Sequence, residues 1–163
     1  MRKFILIRHG KAEMQGEDHL RKLDEDGLIQ SKSLCEKLIK MLSKKVRIHS
    51  SPFVRAVNTI KPLAERLGKK VIECDELKEI ETGKSEKYTK HEIIKKMWED
   101  ENFFIEGHDS QKKHFEGIKQ DLDTIMDEFT TGSHDLVLVT HGNLLGIILK
   151  FYFKKRFNIL KSL

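Results

Sequence analysis

The chain has 163 residues, with 31 Lys and Arg against 26 Asp and Glu, a net charge of +5 and 38% apolar residues. That length fits one domain, 1–163, able to bury a real core, and no apolar run approaches the roughly 20 residues a membrane span needs. Basic and acidic residues are interleaved, without an arginine-rich arm or an aromatic RNA-binding signature, which argues against nucleic acid as a partner. Met1-Arg2-Lys3 and the four apolar residues behind it are too short for a signal peptide, whose apolar stretch runs about 7 to 15 residues, so a cytoplasmic protein is expected. Cys35 and Cys74 show no CxxC spacing and read as free thiols.

Phe4-Ile5-Leu6-Ile7 lacks the polar alternation of a half-exposed strand and predicts a strand covered on both faces, as in a parallel sheet. Arg8 and His9 follow at its carboxyl end, the edge where open α/β sheets bind ligands, and Gly10 lets the backbone approach an anion there. Lys11 to Leu23 predicts a loop over that edge. Asp24 is placed to cap a helix with Leu28, Leu34, Cys35, Leu38, Met41 and Leu42 on one stripe. A second strand, Val46 to His49, feeds a second helix with Ser51 as N-cap and Pro52 at the first helical position. Val57, Ile60, Ala64 and Leu67 form its buried stripe, Gly68 its left-handed cap, and Arg55 lies in its first turn beside unpaired backbone N–H groups.

Val71 to Cys74 predicts a short strand, followed by a charged loop to Tyr88 that holds Glu79 and Gly83. Thr89 and Glu92 form a capping-box pattern for a helix carrying Ile93, Ile94, Met97 and Trp98. Gly107 to Ser110 breaks the chain, and a long amphipathic helix through Phe115, Leu122 and Phe129 ends near Gly132. Leu136 to Val139 repeats the layout of the first strand, emptying into Thr140-His141-Gly142-Asn143 before a helix of Leu144 to Phe151. The basic, aromatic tail from Phe153 to Leu163 reads equally as a strand, a helix extension or a partner surface.

Four strand-like runs thus end in Arg8-His9, in Ser50-Ser51 with Arg55, near Glu79, and in His141. Parallel strands joined by helices bring all their carboxyl ends to one edge, so these residues are expected in one pocket of an α/β fold, a three-layer α/β/α sandwich with a mostly parallel central sheet. Two guanidiniums would offset the charge of a phosphoryl group, each pair being worth about 4 kcal/mol at about 4 Å and an effective dielectric near 20.

These residues resemble the histidine phosphatase superfamily, the phosphoglycerate-mutase-like fold. Arg8-His9-Gly10 matches its signature, Ser50-Ser51-Pro52 with Arg55-Ala56 and Thr59 its second-arginine motif, His141-Gly142 its second-histidine motif, and Leu77-Lys78-Glu79 with Gly83 its acid loop. The resemblance implies His9 as nucleophile, Arg8, Arg55 and His141 as phosphate holders and Glu79 as proton donor, with Gly10, Gly142 and Asn143 lining the substrate. Asp18-x-x-Arg21-x-Leu23 and the small size resemble the SixA-type phosphohistidine phosphatases and add Arg21 to the substrate-binding set. Lys11 and Ala12 stand where mutases usually carry Glu and Ser or Thr.

The expectation is a phosphatase working through a phosphohistidine intermediate without metal or other cofactor, acting on protein phosphohistidine. Small phosphate monoesters, a mutase-type phosphotransfer and, from another class, a non-catalytic phosphate-binding module are the alternatives. The partner is a phosphorylated substrate, with neither nucleic acid nor membrane, and the oligomeric state is not legible.

Overall fold

The computed structural model describes residues 2–153. Strands β1 (Phe4–Arg8), β2 (Val46–Ser50), β3 (Val71–Glu73) and β4 (Asp135–Thr140) form one parallel sheet in the order β1-β4-β2-β3. The described residues up to Glu79, with Thr124–Leu145, make one compact unit, and Ile80–Asp123 with the described residues from Gly146 onward make a second. The tail reading beyond Phe153 falls outside the described residues.

The sheet and the proposed site lie in the first unit. Register sets Ile5, Val137 and Ile48 side by side, and the same face carries Ile7, Val139 and Val46. Helices α1 (Glu25–Met41) and α2 (Val54–Leu67) cover it through Cys35, Leu38, Ile60 and Leu63, all buried. The opposite face carries Phe4, Leu136 and Arg47 in register. It meets the end of α4 (Gln111–Thr131), where Phe129 lies 5.9 Å from the Phe4 ring and Glu128 pairs with Arg47. The four-residue apolar runs are continuous because both faces are covered, giving an α/β fold with helices on both sides of a parallel sheet.

Asp24 caps α1 by accepting from the Gly27 amide at 2.8 Å, as the sequence predicts. The buried line of α1 runs through Gly27, Ser31, Cys35 and Leu38, while Leu28 and Met41, assigned to the stripe, are half exposed. Small residues set that line because α1 packs close to its neighbours. Ser31 Oγ reaches the carbonyls of Asn58 and Thr59 in α2 at 3.1 and 2.9 Å. Pro62 has no N–H to return to the Asn58 carbonyl four residues earlier, and the Ser31 hydroxyl fills that vacancy.

Helix α2 starts at Val54, later than the expected Ser51-Pro52, and ends on Gly68 at φ 61°. In the second unit, α3 (Lys90–Glu99) carries both halves of the Thr89–Glu92 capping box and buries Ile93 and Met97. The predicted last helix divides: α5 spans Gly142–Ile147, and a π-helical turn follows from Ile148 to Phe153.

Candidate active site

The carboxyl edge of the sheet is where β1, β2 and β4 end in Arg8, Ser50 and Thr140. The His9 amide continues the ladder by donating to the Thr140 carbonyl at 2.9 Å, so His9 is held by the sheet before the chain turns away. Its Nδ1 lies 2.7 Å from the Gly10 carbonyl, which can only accept, so Nδ1 carries the proton and Nε2 holds the lone pair. Gly10 turns tightly here: its N–H donates to Thr59 Oγ1 at 2.9 Å, and a Cβ would stand 3.1 Å from the Gly27 carbonyl oxygen. Thr59 Oγ1 donates in turn to the Arg55 carbonyl at 2.7 Å, tying the turn to α2.

Arg55 is only 3% exposed. Its Nε donates to His9 Nε2 at 3.2 Å, its Nη2 to Asp18 Oδ2 at 3.1 Å and its Nη1 to the Asp18 carbonyl, while the guanidinium lies 4.9 Å from the centre of the Phe53 ring. Phe53 also meets His141 edge-on at 5.0 Å, and the His9 and His141 rings are 4.9 Å apart. His141 is fully buried, with Nε2 2.8 Å from Ser51 Oγ and Nδ1 buried without a hydrogen-bond partner among the described residues. The bond to His141 is one the sequence did not reveal for Ser51, read there as a helix cap and as part of the second-arginine motif.

Burial lowers the His9 pKa from 6.5 to about 4, with Arg55, Arg8 and Arg21 adding to the fall against the pull of the Gly10 carbonyl. Burial likewise takes His141 to about 3, helped by Arg55 and His9 and opposed by Asp18. Both imidazoles are neutral at pH 7, the state a nucleophile requires.

Arg8 is exposed at the end of β1 and lies against the turn after β4: a Cβ on Gly142 would stand 3.3 Å from Arg8 Nε and 3.4 Å from its Cζ. The structure therefore gathers Arg8, His9, Gly10, Arg55, His141 and Gly142 in one place. Arg21 joins them through Asp18, whose Oδ1 it binds, and also reaches the Glu13 carbonyl at 3.4 Å. Asp18 is the charged group at this edge to which sequence reasoning gave no role; only its spacing from Arg21 marked it. Burial disfavours its charge, and its bonds to Arg55 and Arg21 outweigh that and lower its pKa.

Glu79 belongs to the same edge. Thr140 Oγ1 donates to the Leu77 carbonyl at 2.8 Å and so brings the loop after β3 to the end of β4. Glu79 Oε1 then accepts from the Leu144 amide at 2.9 Å, and Oε2 from the Asn143 amide and Nδ2 at 3.2 and 3.4 Å. Asn143 thus meets Glu79 through both of its donors. Lys11 bonds to Asp26 at 2.6 Å and lies 3.4 Å from Asp24, at the start of α1.

No curated protein matches the chain at the sequence level. Among solved structures, a mycobacterial glucosyl-3-phosphoglycerate phosphatase with inorganic phosphate is 23% identical, with TM-score 0.75 over 94% of this chain and 80% of its own. A phosphoserine phosphatase from Entamoeba histolytica with 3-phosphoglyceric acid is 24% identical, with TM-score 0.71 over 94% and 81%. The protein histidine phosphatase SixA with tungstate is 17% identical, with TM-score 0.57 over 90% and 73%. At these identities the likeness speaks for the fold; the family rests on the model of the histidine phosphatase superfamily (branch 1), which matches residues 4–162. With that match and the convergence of Arg8, His9, Arg55 and His141, the chain belongs to the histidine phosphatase superfamily and is a phosphatase.

Proposed function

We propose that the protein hydrolyses small phosphate monoesters through a covalent phosphohistidine at His9. The observation that carries the covalent step is the His9 ring itself: Nδ1–H is fixed on the Gly10 carbonyl, and the Nε2 lone pair faces the Arg55 guanidinium. A phosphoryl group drawn to Arg55, Arg8 and Arg21 comes within reach of Nε2, which attacks phosphorus as the bond to the leaving oxygen breaks. The leaving oxygen takes a proton from Glu79; water then attacks phosphorus as the P–N bond breaks, giving its proton to the Glu79 carboxylate, so that phosphate leaves and neutral His9 is restored. In this mechanism the Ser51 hydroxyl donates to His141 Nε2, 2.8 Å away, and the ring proton on Nδ1 is the donor for a phosphoryl oxygen. Gly10 and Gly142 act by leaving room for the turn and for Arg8.

The placement of Glu79 favours an ester substrate over phosphohistidine. An alkoxide needs a proton as it leaves, and a carboxyl group held two residues beyond His141 is built into the edge; an imidazole leaving group needs little help. The Glu79 carboxyl is positioned by the Asn143 and Leu144 amides, on the segment that also carries His141. The phosphohistidine reading is favoured by one observation, the Asp18–Arg21 pair on the loop after β1.

Rapid-quench labelling is expected to show an acid-labile, alkali-stable phosphoryl adduct that His9→Ala abolishes. Glu79→Gln is expected to slow alkyl phosphate hydrolysis by about a hundredfold while sparing phosphohistidine turnover. A His9→Ala protein with full activity would sink the mechanism. Equal small losses on both substrates in Glu79→Gln would transfer the assignment to phosphohistidine.

A further inference from the structure

Arg55 is 3% exposed and carries a full positive charge, and the group it holds is a carboxylate of the protein's own loop. Asp18 Oδ2 takes Arg55 Nη2 at 3.1 Å, Asp18 Oδ1 takes Arg21 Nη2, and the Asp18 carbonyl takes Arg55 Nη1. One carboxylate thus bridges two guanidiniums, the arrangement a phosphoryl group would adopt, and its bridging bonds engage the Arg55 fork beside His9 Nε2. The loop that carries it is fixed at its two ends by the Ala12–Leu23 bridge and the Glu13 amide bond to the Lys22 carbonyl at 3.0 Å. Between them, Asp18 lies in a three-residue 3-10 turn, Asp18–Leu20, with its side chain 53% exposed. The contact is therefore anchored at the arginines and open to solvent at the carboxylate.

From this we infer that Asp18 is an internal stand-in for phosphate that selects substrates by charge: only a ligand that outcompetes a carboxylate for Arg55 and Arg21 opens the site. The inference rests on the phosphatase reading in one respect, that these arginines receive the phosphoryl group. A monoanion, such as a carboxylate or a phosphodiester, offers the two guanidiniums one negative charge, the same as Asp18, and gains nothing by exchange. A phosphate monoester near neutral pH brings close to two charges and three oxygens, and the second charge drives the exchange. Displaced from Arg55, Asp18 stays on an exposed loop where water solvates it, so its release leaves no buried charge behind. Asp18 is thus a specificity-determining group that makes no bond to the reacting phosphorus.

The test is oxyanion binding by calorimetry with inorganic phosphate, tungstate and dimethyl phosphate, on the wild type, Asp18→Asn and Asp18→Ala, with unfolding midpoints confirming that the variants fold. Both variants are expected to bind phosphate and tungstate at least about tenfold tighter than the wild type, since an Arg55–carboxylate bond no longer has to be broken. Dimethyl phosphate, excluded by the wild type, is expected to bind both variants and to inhibit their turnover competitively. Unchanged or weaker phosphate binding in both variants, with the His9 adduct still forming in the wild type, overturns the inference and leaves the phosphatase mechanism standing. Absence of oxyanion binding and of the adduct in every protein overturns both.

Discussion

Replacing Arg55 by alanine removes a buried cation that bonds to His9 Nε2 at 3.2 Å and to Asp18 at two atoms. At about 4 Å and an effective dielectric near 20, a guanidinium gains about 4 kcal/mol from each unit of phosphoryl charge. Breaking a buried charge-assisted pair costs about 2 to 5 kcal/mol. Part of that gain is already present in the resting site, because Asp18 occupies the same donors and must be released first. The net loss is therefore expected in the lower half of the range, about 2 to 3 kcal/mol, or roughly 30- to 150-fold in oxyanion affinity. Arg55 is also one of the groups holding the His9 pKa down, so the same substitution should move it upward from about 4. It should stop short of the ordinary value of 6.5, because burial is the larger cause and remains. Tungstate titration near 0.15 M salt measures the first effect and imidazole NMR across the acid range the second. Arg55→Lys keeps the charge but loses the planar fork, and should fall between the alanine variant and the wild type. Tungstate affinity within about twofold of the wild type, with His9 titration unmoved, would refute the shared pocket.

Acid should destabilise the fold well above the range where its carboxylates protonate. His9 and His141 stay neutral in the folded state down to about 4 and about 3, while the unfolded chain protonates below 6.5. The unfolded state therefore binds more protons in that window, so this stability is complete above 6.5 and is lost as pH falls toward the folded values. At about pH 5 the fully buried His141 alone accounts for about 2 kcal/mol, measurable as a drop in the urea midpoint, and His141→Gln should flatten that dependence. A midpoint unchanged between about pH 7 and 5 would contradict the neutral, buried state. Gly27→Ala should destabilise by about 1 to 3 kcal/mol although alanine is the better helix former by about 1, because a Cβ there runs into the Lys11 carbonyl and lies 3.1 Å from Leu23 Cβ. Chemical denaturation decides this, and a variant as stable as the wild type would show that the loop after β1 yields freely.

The elements the sequence displays best are those whose physics is local or strictly periodic. Phe4 to Ile7 and Leu136 to Val139 are apolar at every position because both faces of the sheet are covered, and that pattern has few other causes. The capping box at Thr89 and the left-handed glycine at Gly68 are similarly local, and both form. Leu28 and Met41 mislead because helical spacing alone permits several overlapping stripes on α1. The stripe that wins is the one whose small residues, Gly27 and Ser31, allow close approach to Lys11 and α2, a tertiary fact. Ser51 misleads differently: its hydroxyl bonds the ring of His141, ninety positions on, and the helix begins at Val54.

The polar contacts that join the separate motifs of the site are long-range, which is why motif reading reached the residues and not their couplings. Thr140 looks like a strand end, yet its hydroxyl fixes the Leu77 carbonyl and thereby sets Glu79 against the two amides that follow Gly142. The chain segment that carries His141 is therefore the same segment whose N–H groups hold the candidate acid, Glu79. The amides of Asn143 and Leu144, directly after the Gly142 that lies against Arg8, are therefore the groups that fix the position of the Glu79 carboxylate.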